Sequence, residues 1–240
     1  MENLLPLKFG LTPEPSPYDA LDAIVPPFEP VCEAVKNTVH TRDGHTCRYC
    51  GFEARKYQQA VALEGDPRDV DAVVTACIFC HQARRIDIVT LLRSGVLLWL
   101  PEVGQVELHH MAREIYLWRV AHGPKATRAR RVLDVLMQRR VAIREQFGSD
   151  DPFILARRLR KQLDGEHDAQ LTKTLPGLRL FPLDRRIIRV REANIELNQF
   201  PQIFDYWRSP TGPFVHKSYP GVAELEARLL PADVLAKRNS

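Results

Sequence analysis

Four of the five cysteines fall into two matched pairs, Cys47-x-x-Cys50 and Cys77-x-x-Cys80, with 26 residues between the pairs. A C-x-x-C turn puts two thiolates on one side of a tight knuckle. Two such knuckles facing each other supply the four sulfurs of a tetrahedral zinc site. The expected metal ligands are Cys47, Cys50, Cys77 and Cys80, around one structural Zn2+. Four unrelated thiols, or two disulfides, are the competing readings; paired C-x-x-C at this spacing is uncommon without a metal. Gly51, directly after the first pair, stands where a metal knuckle often turns through a positive φ. Cys32 has no partner at ligand spacing and is expected to be a small buried residue. Four thiolates leave zinc no open position for water, so the metal itself would not be catalytic.

Other chemistry is sparse. His110 and Glu114 share a helix face at i, i+4, an arrangement expected as a surface contact rather than a metal site. No glycine-rich phosphate loop, G-x-S-x-G elbow or H-E-x-x-H motif occurs in the chain.

The elements that must position the cysteines are short. A helix over 31–39 leads to the first knuckle, and strand-like pieces follow at 46–52 and 57–63. The second piece is broken by the turn Glu64-Gly65-Asp66-Pro67. Asp69 can cap a turn ahead of the second knuckle. From Cys80, the spacing of Ile86, Val89 and Leu92 predicts a helix that Gly95 ends. The apolar run at 96–100, stopped by Pro101, predicts a buried strand. Leu108, Met111, Ile115 and Trp118 mark one buried helix face, and His122-Gly123-Pro124 breaks that helix. Val132, Leu133, Leu136, Ile143 and Phe147 predict one amphipathic helix of about 20 residues. Asp151-Pro152 opens another, with Leu155, Leu159 and Leu163 as its apolar face. An extended piece at 178–182, a helix over 184–197 that continues after a break toward Trp207, and a short helix at 222–229 complete the reading. Trp99, Trp118 and Trp207 are candidate interface anchors, with at least two expected in the core.

The expected fold class is α+β, mainly helical. Four parts are expected: a Pro-rich extended arm at 1–30, a zinc module at 31–101, a helical body packed on it at 102–208, and a Pro-containing tail at 209–240. Seven of the 18 prolines lie in the first 30 residues, among enough apolar residues that the arm should pack on the body. No secretory signal and no transmembrane segment are visible, and reduced metal-binding cysteines favour the cytoplasm. The net charge of +4 is unevenly spread. Residues 1–124 carry 12 Lys/Arg against 16 Asp/Glu, a net of −4, and residues 125–192 carry 17 against 9, a net of +8. Acidic residues are interspersed and few aromatics accompany the arginines. Solvated helix faces are therefore expected rather than direct nucleic-acid binding.

Cysteine knuckles flanking a hairpin and followed by a helix resemble the HNH nucleases. The stretches Arg42-Asp43-Gly44-His45-Thr46-Cys47-Arg48-Tyr49-Cys50-Gly51 and Val73-Val74-Thr75-Ala76-Cys77-Ile78-Phe79-Cys80-His81 carry that likeness. HNH chemistry needs a His general base on the hairpin, an Asn to orient it and His ligands for a catalytic metal. Between Cys50 and Cys77 there is no histidine. Tyr57-Gln58-Gln59-Ala60-Val61-Ala62-Leu63 stands where the base-bearing strand would run, and Ala72 where the Asn would fall. His81 alone matches a metal-ligand position, and His45 is expected to make a local hydrogen bond. The residues imply a zinc scaffold without a catalytic centre. An HNH-type endonuclease or DNA-binding zinc protein is the alternative.

A more specific resemblance rests on Arg42-Asp43, Thr46-Cys47, Tyr49-Cys50-Gly51-Phe52, Ala54-Arg55, Tyr57-Gln58, Gly65-Asp66 and Val74-Thr75-Ala76-Cys77. It also includes Leu63, and continues through Leu98-Trp99-Leu100-Pro101-Glu102, Gln105, Leu108, Phe147-Gly148, Asp151-Pro152 and Leu178-Arg179-Leu180-Phe181-Pro182. In these residues the chain resembles the IcmJ (DotN) family of the type IVB (Dot/Icm) secretion system. The resemblance covers roughly residues 40–195. It implies a non-enzymatic HNH-like zinc fold and an adaptor role in the type IV coupling complex. Such a subunit would bind the C-terminal extension of the coupling ATPase (DotL-like), alongside DotM-, IcmS- and IcmW-like subunits, and help recruit effectors. It would be cytoplasmic, and peripheral at the inner membrane through that complex.

Overall fold

The computed structural model describes residues 4–11, 31–63, 66–190, 195–215 and 222–229. In chain order the elements are α1 (Glu33–Arg42), β1 (Gln58–Ala62), β2 (Val73–Cys77), α2 (Ile78–Arg84), α3 (Ile86–Leu91), β3 (Gly95–Trp99), α4 (Gln105–Arg119), α5 (Pro124–Gln138) and α6 (Arg140–Phe147). They continue with α7 (Pro152–Leu163), α8 (Ala169–Thr174), β4 (Leu178–Pro182), β5 (Ile187–Val190), β6 (Ile195–Asn198), α9 (Phe200–Arg208) and α10 (Val222–Leu229). The protein is α+β and mainly helical. Among the described residues the strands form three antiparallel pairs, β1 with β2, β3 with β4 and β5 with β6.

Each pair follows from its sequence. In β1–β2, Gln58 faces Cys77 and Ala62 faces Val73, so the second knuckle begins where the strand pair ends. Asp69 caps the turn before β2 by accepting from the Asp71 N–H at 2.9 Å. β3–β4 joins Gly95 to Pro182 and Trp99 to Leu178 across 78 residues of intervening helix. Gly95 has no room for a side chain: a Cβ there would lie 2.8 Å from Val89 Cγ1 and 2.9 Å from Leu180 Cδ1.

Helix α4 is the central rod. Leu108, Met111, Ala112, Ile115 and Tyr116 are buried on it. Fully burying a side chain the size of Leu, Ile or Met contributes about 1.5–3 kcal/mol, so this one stripe anchors much of the fold. The main core brings α4 together with all four paired cysteines, Val132 and Leu136 of α5, Phe200, Ile203 and Trp207 of α9, and Leu229 of α10. A second cluster under β3–β4 holds Ile86, Val89, Leu97, Ile143, Leu155 and Leu180. Residues 4–11 lie on the body: Leu5 N–H donates to the Arg48 carbonyl at 2.8 Å and Gly10 N–H to the Ala83 carbonyl at 3.1 Å. The rest of the proline-rich arm, and positions 64 and 65 of the expected turn, fall outside the described residues.

Several expectations need correction. Among the described residues, 184–190 and 195–197 do not form a helix; β5 and β6 pair there, with Ile187 opposite Asn198. The β-branched Ile187, Ile188, Val190 and Ile195 suit strands, and the Asn198 side chain accepts from the Arg186 N–H at 2.9 Å. The helix expected over 132–147 is two helices, because the Arg139 carbonyl is taken by the Trp99 N–H at 3.2 Å. The helix following Cys80 breaks at Arg85 (φ −144°), and its end is turned by Arg93 in the left-handed region (φ 49°), not by Gly95. Residues 46–52 are knuckle turn rather than strand, with one bridge from Thr46 to Glu53. Leu163 is 78% exposed, so the apolar stripe of α7 stops short of it. Cys32 is exposed, not buried. It precedes the first turn of α1, where its carbonyl accepts from the Lys36 N–H at 3.0 Å.

Candidate metal centre

The first knuckle is a turn forced by local backbone demands. Gly44 (φ 57°), His45 (φ 54°) and Gly51 (φ 70°) all adopt left-handed conformations, as expected for Gly51. Gln58, in the position of a nuclease base, is buried and used for support. Its Nε2 donates to the His45 carbonyl at 2.9 Å and the Phe52 carbonyl at 3.0 Å, bracing both ends of the knuckle. His45 contributes through its backbone, its N–H donating to the His40 carbonyl at 2.7 Å.

Asp43 ties this knuckle to the second. Its carboxylate accepts from the Thr75 N–H at 2.8 Å and from Arg42 Nε at 2.9 Å. Arg42 also donates to the carbonyls of Val70 and Val73 at 2.6 and 2.8 Å. Burial works against the Asp43 charge, yet the Arg42 and Thr75 donors hold its pKa below the ordinary carboxylate value. The Arg42-Asp43 pair thus aligns β2, which delivers Cys77.

Cys47, Cys50, Cys77 and Cys80 meet in one buried cluster, their sulfurs all within 4.8 Å of one another. All four are free thiols. Cys50 Sγ and Cys77 Sγ are 3.7 Å apart, beyond a disulfide bond of about 2.05 Å. Zinc–sulfur bonds of about 2.3 Å give a tetrahedral edge of roughly 3.8 Å, which that separation fits. Among the described residues this is the one group of three or more candidate ligands close enough to share an ion. The cluster can therefore hold a single metal ion.

Helix α4 closes the centre from behind. Arg113 Nη2 donates to Cys77 Sγ at 2.8 Å, and its guanidinium lies 4.0 Å from the Phe52 ring centroid and 4.8 Å from that of Phe79. His109 Nδ1 is 3.4 Å from Cys80 Sγ. His110 Nε2 donates to the Cys50 carbonyl at 2.8 Å. These residues were not legible as part of a site. His110, expected at the surface, is buried, because α4 runs directly under the knuckles. Burial pushes the pKa of His109 down to about 3 and that of His110 to about 4, with Arg113 contributing to both, so both rings are neutral at pH 7. Burial also opposes a Cys77 thiolate, but hydrogen bonds from Cys47, Cys50 and Cys80 and the Arg113 charge hold that thiol well below its ordinary range. Cys47 and Cys80 are pushed up, by burial first.

His81 does not join the sulfurs. It is buried on α2, where burial and the Arg186 charge depress its pKa to about 3. Trp207 is core, edge-on to Phe79 at 5.8 Å and to Phe200 at 5.7 Å. Trp118 is partly buried against the same core, and Trp99 is partly buried against the second cluster under β3–β4.

A mainly helical α+β fold organised around a closed four-thiol centre defines the class of protein. No protein-family model matches the chain. Over 128 residues it is 30% identical to a curated relative, the "Type 4 apparatus protein DotN" of Legionella pneumophila subsp. pneumophila (strain Philadelphia 1), and this match covers 51% of the present chain. Over that stretch the chain is similar to DotN. The match spans 60% of that relative's length, less than two thirds of it. No helix among the described residues is long and apolar enough to cross a membrane.

Proposed function

We propose that this protein is a non-enzymatic, zinc-stabilised adaptor of a bacterial type IVB secretion coupling complex. It binds the C-terminal extension of a DotL-like coupling ATPase and helps recruit effector substrates beside DotM-, IcmS- and IcmW-like subunits. It works in the cytoplasm, held peripherally at the inner membrane through that complex. Cys47, Cys50, Cys77 and Cys80 hold one Zn2+ as a cross-link between two knuckles of an HNH-like scaffold. The observation that carries the reading is the closed centre itself, in a relative of DotN: four buried thiols whose sulfurs are mutually close enough to share one ion, with no other candidate ligand joining that group among the described residues. Gln58 supports the non-enzymatic part, since a glutamine committed to two backbone carbonyls cannot take a proton from water.

The test is co-purification of the full chain with the C-terminal segment of its cognate coupling ATPase. A stable complex carrying one zinc per chain is expected; no association with the cognate segment overturns the adaptor reading. The nuclease alternative requires Mg2+-dependent nicking of plasmid DNA and DNA binding that weakens with salt. Neither activity is expected from the purified protein.

A further inference from the structure

Arg113 is wholly buried, and among the described residues no carboxylate lies within ion-pair reach of it. A buried guanidinium left without counter-charge is strongly destabilising. Its polar partners are Cys77 Sγ at 2.8 Å and the His109 carbonyl at 3.1 Å. The two rings that sandwich it come one from each knuckle: Phe52 follows Cys50-Gly51, and Phe79 lies inside Cys77-x-x-Cys80. The cation is therefore clamped by the same two turns that bring the sulfurs together.

One helical turn earlier, the hydrogen bonds fix a tautomer. Gln105 Oε1 accepts from the Leu180 N–H at 2.8 Å while Gln105 Nε2 donates to the Leu180 carbonyl at 2.7 Å, which orients the amide. The remaining Nε2 proton meets His109 Nε2 at 2.8 Å. That ring nitrogen must accept, so the neutral imidazole carries its proton on Nδ1, which faces Cys80 Sγ at 3.4 Å. Gln105, His109 and Arg113 stand four residues apart on one face of α4. They connect strand β4 to the sulfurs of the second knuckle.

We propose that this face of α4 is the outer shell of the metal centre, with Arg113 as its buried counter-cation and His109 as an oriented N–H donor to Cys80. The inference rests on the zinc reading above. Four thiolates around a divalent ion leave two negative charges in excess. Arg113 offsets one of them, and the N–H donors to Cys77 and Cys80 disperse the other. Both side-chain donors act on the second knuckle, so the shell locks Cys77 and Cys80 to the helical body. Outer-shell partners of this kind hold ligands in place and limit their exchange.

The test uses the full chain as purified. Zinc content is measured first, then the rate of zinc release to excess 4-(2-pyridylazo)resorcinol. Arg113→Met should release zinc about 10- to 100-fold faster than wild type. Arg113→Lys, which keeps the charge but not the fork, should fall between. Arg130→Met, on the exposed face of α5, should match wild type. A wild-type protein that purifies without zinc sinks the metal reading itself. Zinc-loaded wild type, with a folded Arg113→Met variant releasing metal at the wild-type rate, overturns the present inference and leaves the metal reading standing. If Arg113→Met does not fold, wild-type protein still decides the matter. Imidazole 15N spectra should show His109 protonated on Nδ1, and protonation on Nε2 instead overturns the proposed shell.

Discussion

Arginine is kept in two different ways in this molecule. The segment 125–192 carries the +8 excess of charge, and several of its arginines pair with carboxylates. Arg128 and Arg131 share Glu226 at 2.6 and 3.0 Å, Arg140 and Arg144 share Asp150, and Arg158 meets Asp168 at 3.3 Å. Arg113 belongs to the segment whose net charge is −4, and it is buried against sulfur. Segment charge therefore points away from the cation that sits at the centre. A solvated pair exchanges water for a carboxylate at little gain. A buried cation has no such alternative, so the structure around it must supply the negative charge.

The sharpest way to break this contrast is to remove the sulfur side. Cys77→Ser takes away both a ligand and the partner of Arg113. Zinc sites in small peptides supply about 10–16 kcal/mol of folding free energy, more than most domains have in total. The variant should be insoluble or unfolded, as judged by circular dichroism and metal content. A soluble, zinc-free protein with a native spectrum would refute the structural role. The next largest effect comes from the other side of the pair. Arg113→Met should lower the urea-unfolding free energy of zinc-loaded protein by about 3–5 kcal/mol. Arg130→Met should stay within about 0.5 kcal/mol of wild type. Equal losses in the two would erase the distinction between buried and surface arginines.

A third prediction concerns a carboxylate that is buried rather than solvated. The Asp43 side chain is 3% exposed and accepts from Arg42 and from the Thr75 backbone. Its folded pKa is depressed, so it stabilises the fold above its unfolded value of about 3.9. That contribution is lost as pH falls through the lower folded pKa. Asp43→Asn should cost about 1–3 kcal/mol at pH 7. Its stability should also fall less steeply than wild type's below about pH 4. Parallel acid limbs in the two proteins would contradict the assignment.

The cysteines were legible because their chemistry is written in local spacing: two C-x-x-C turns need no knowledge of the rest of the chain. The strand β3 and the buried face of α4 were legible through their periodicity. What joins them was not. β3 pairs with β4 across a long helical excursion, and nothing local announces the register of Trp99 on Leu178. Arg113 and His109 sit among Leu108, Met111 and Ile115 as the polar residues of a helix turn, and single polar residues there usually face water. The usable signal was the four-residue spacing of Gln105, His109 and Arg113 directly after a cysteine module. In 184–197, arginines between isoleucines read as an amphipathic helix, but strand pairing with Asn198 outweighed that pattern. The Arg139 break was invisible because a tertiary contact from Trp99 makes it, not a helix-breaking residue.

The smallest predicted effect probes the solvated end of the comparison. Lys161 and Glu166 are 3.0 Å apart, with side chains 55% and 64% exposed, so their geometry alone would suggest a strong ion pair. Water screens both charges, and ordering two long side chains offsets what attraction remains, leaving about 0.2–1 kcal/mol at most. Glu166→Gln should therefore change the unfolding free energy by no more than about 1 kcal/mol, and the difference should vanish near 1 M salt, where the Debye length is about 3 Å. The Arg113→Met loss should persist at that salt concentration, because ions do not reach a buried guanidinium. If instead both losses shrink together as salt is raised, Arg113 is being screened like a surface charge. The division between an arginine bound to sulfur and arginines bound to carboxylates would then be one of position, not of energy.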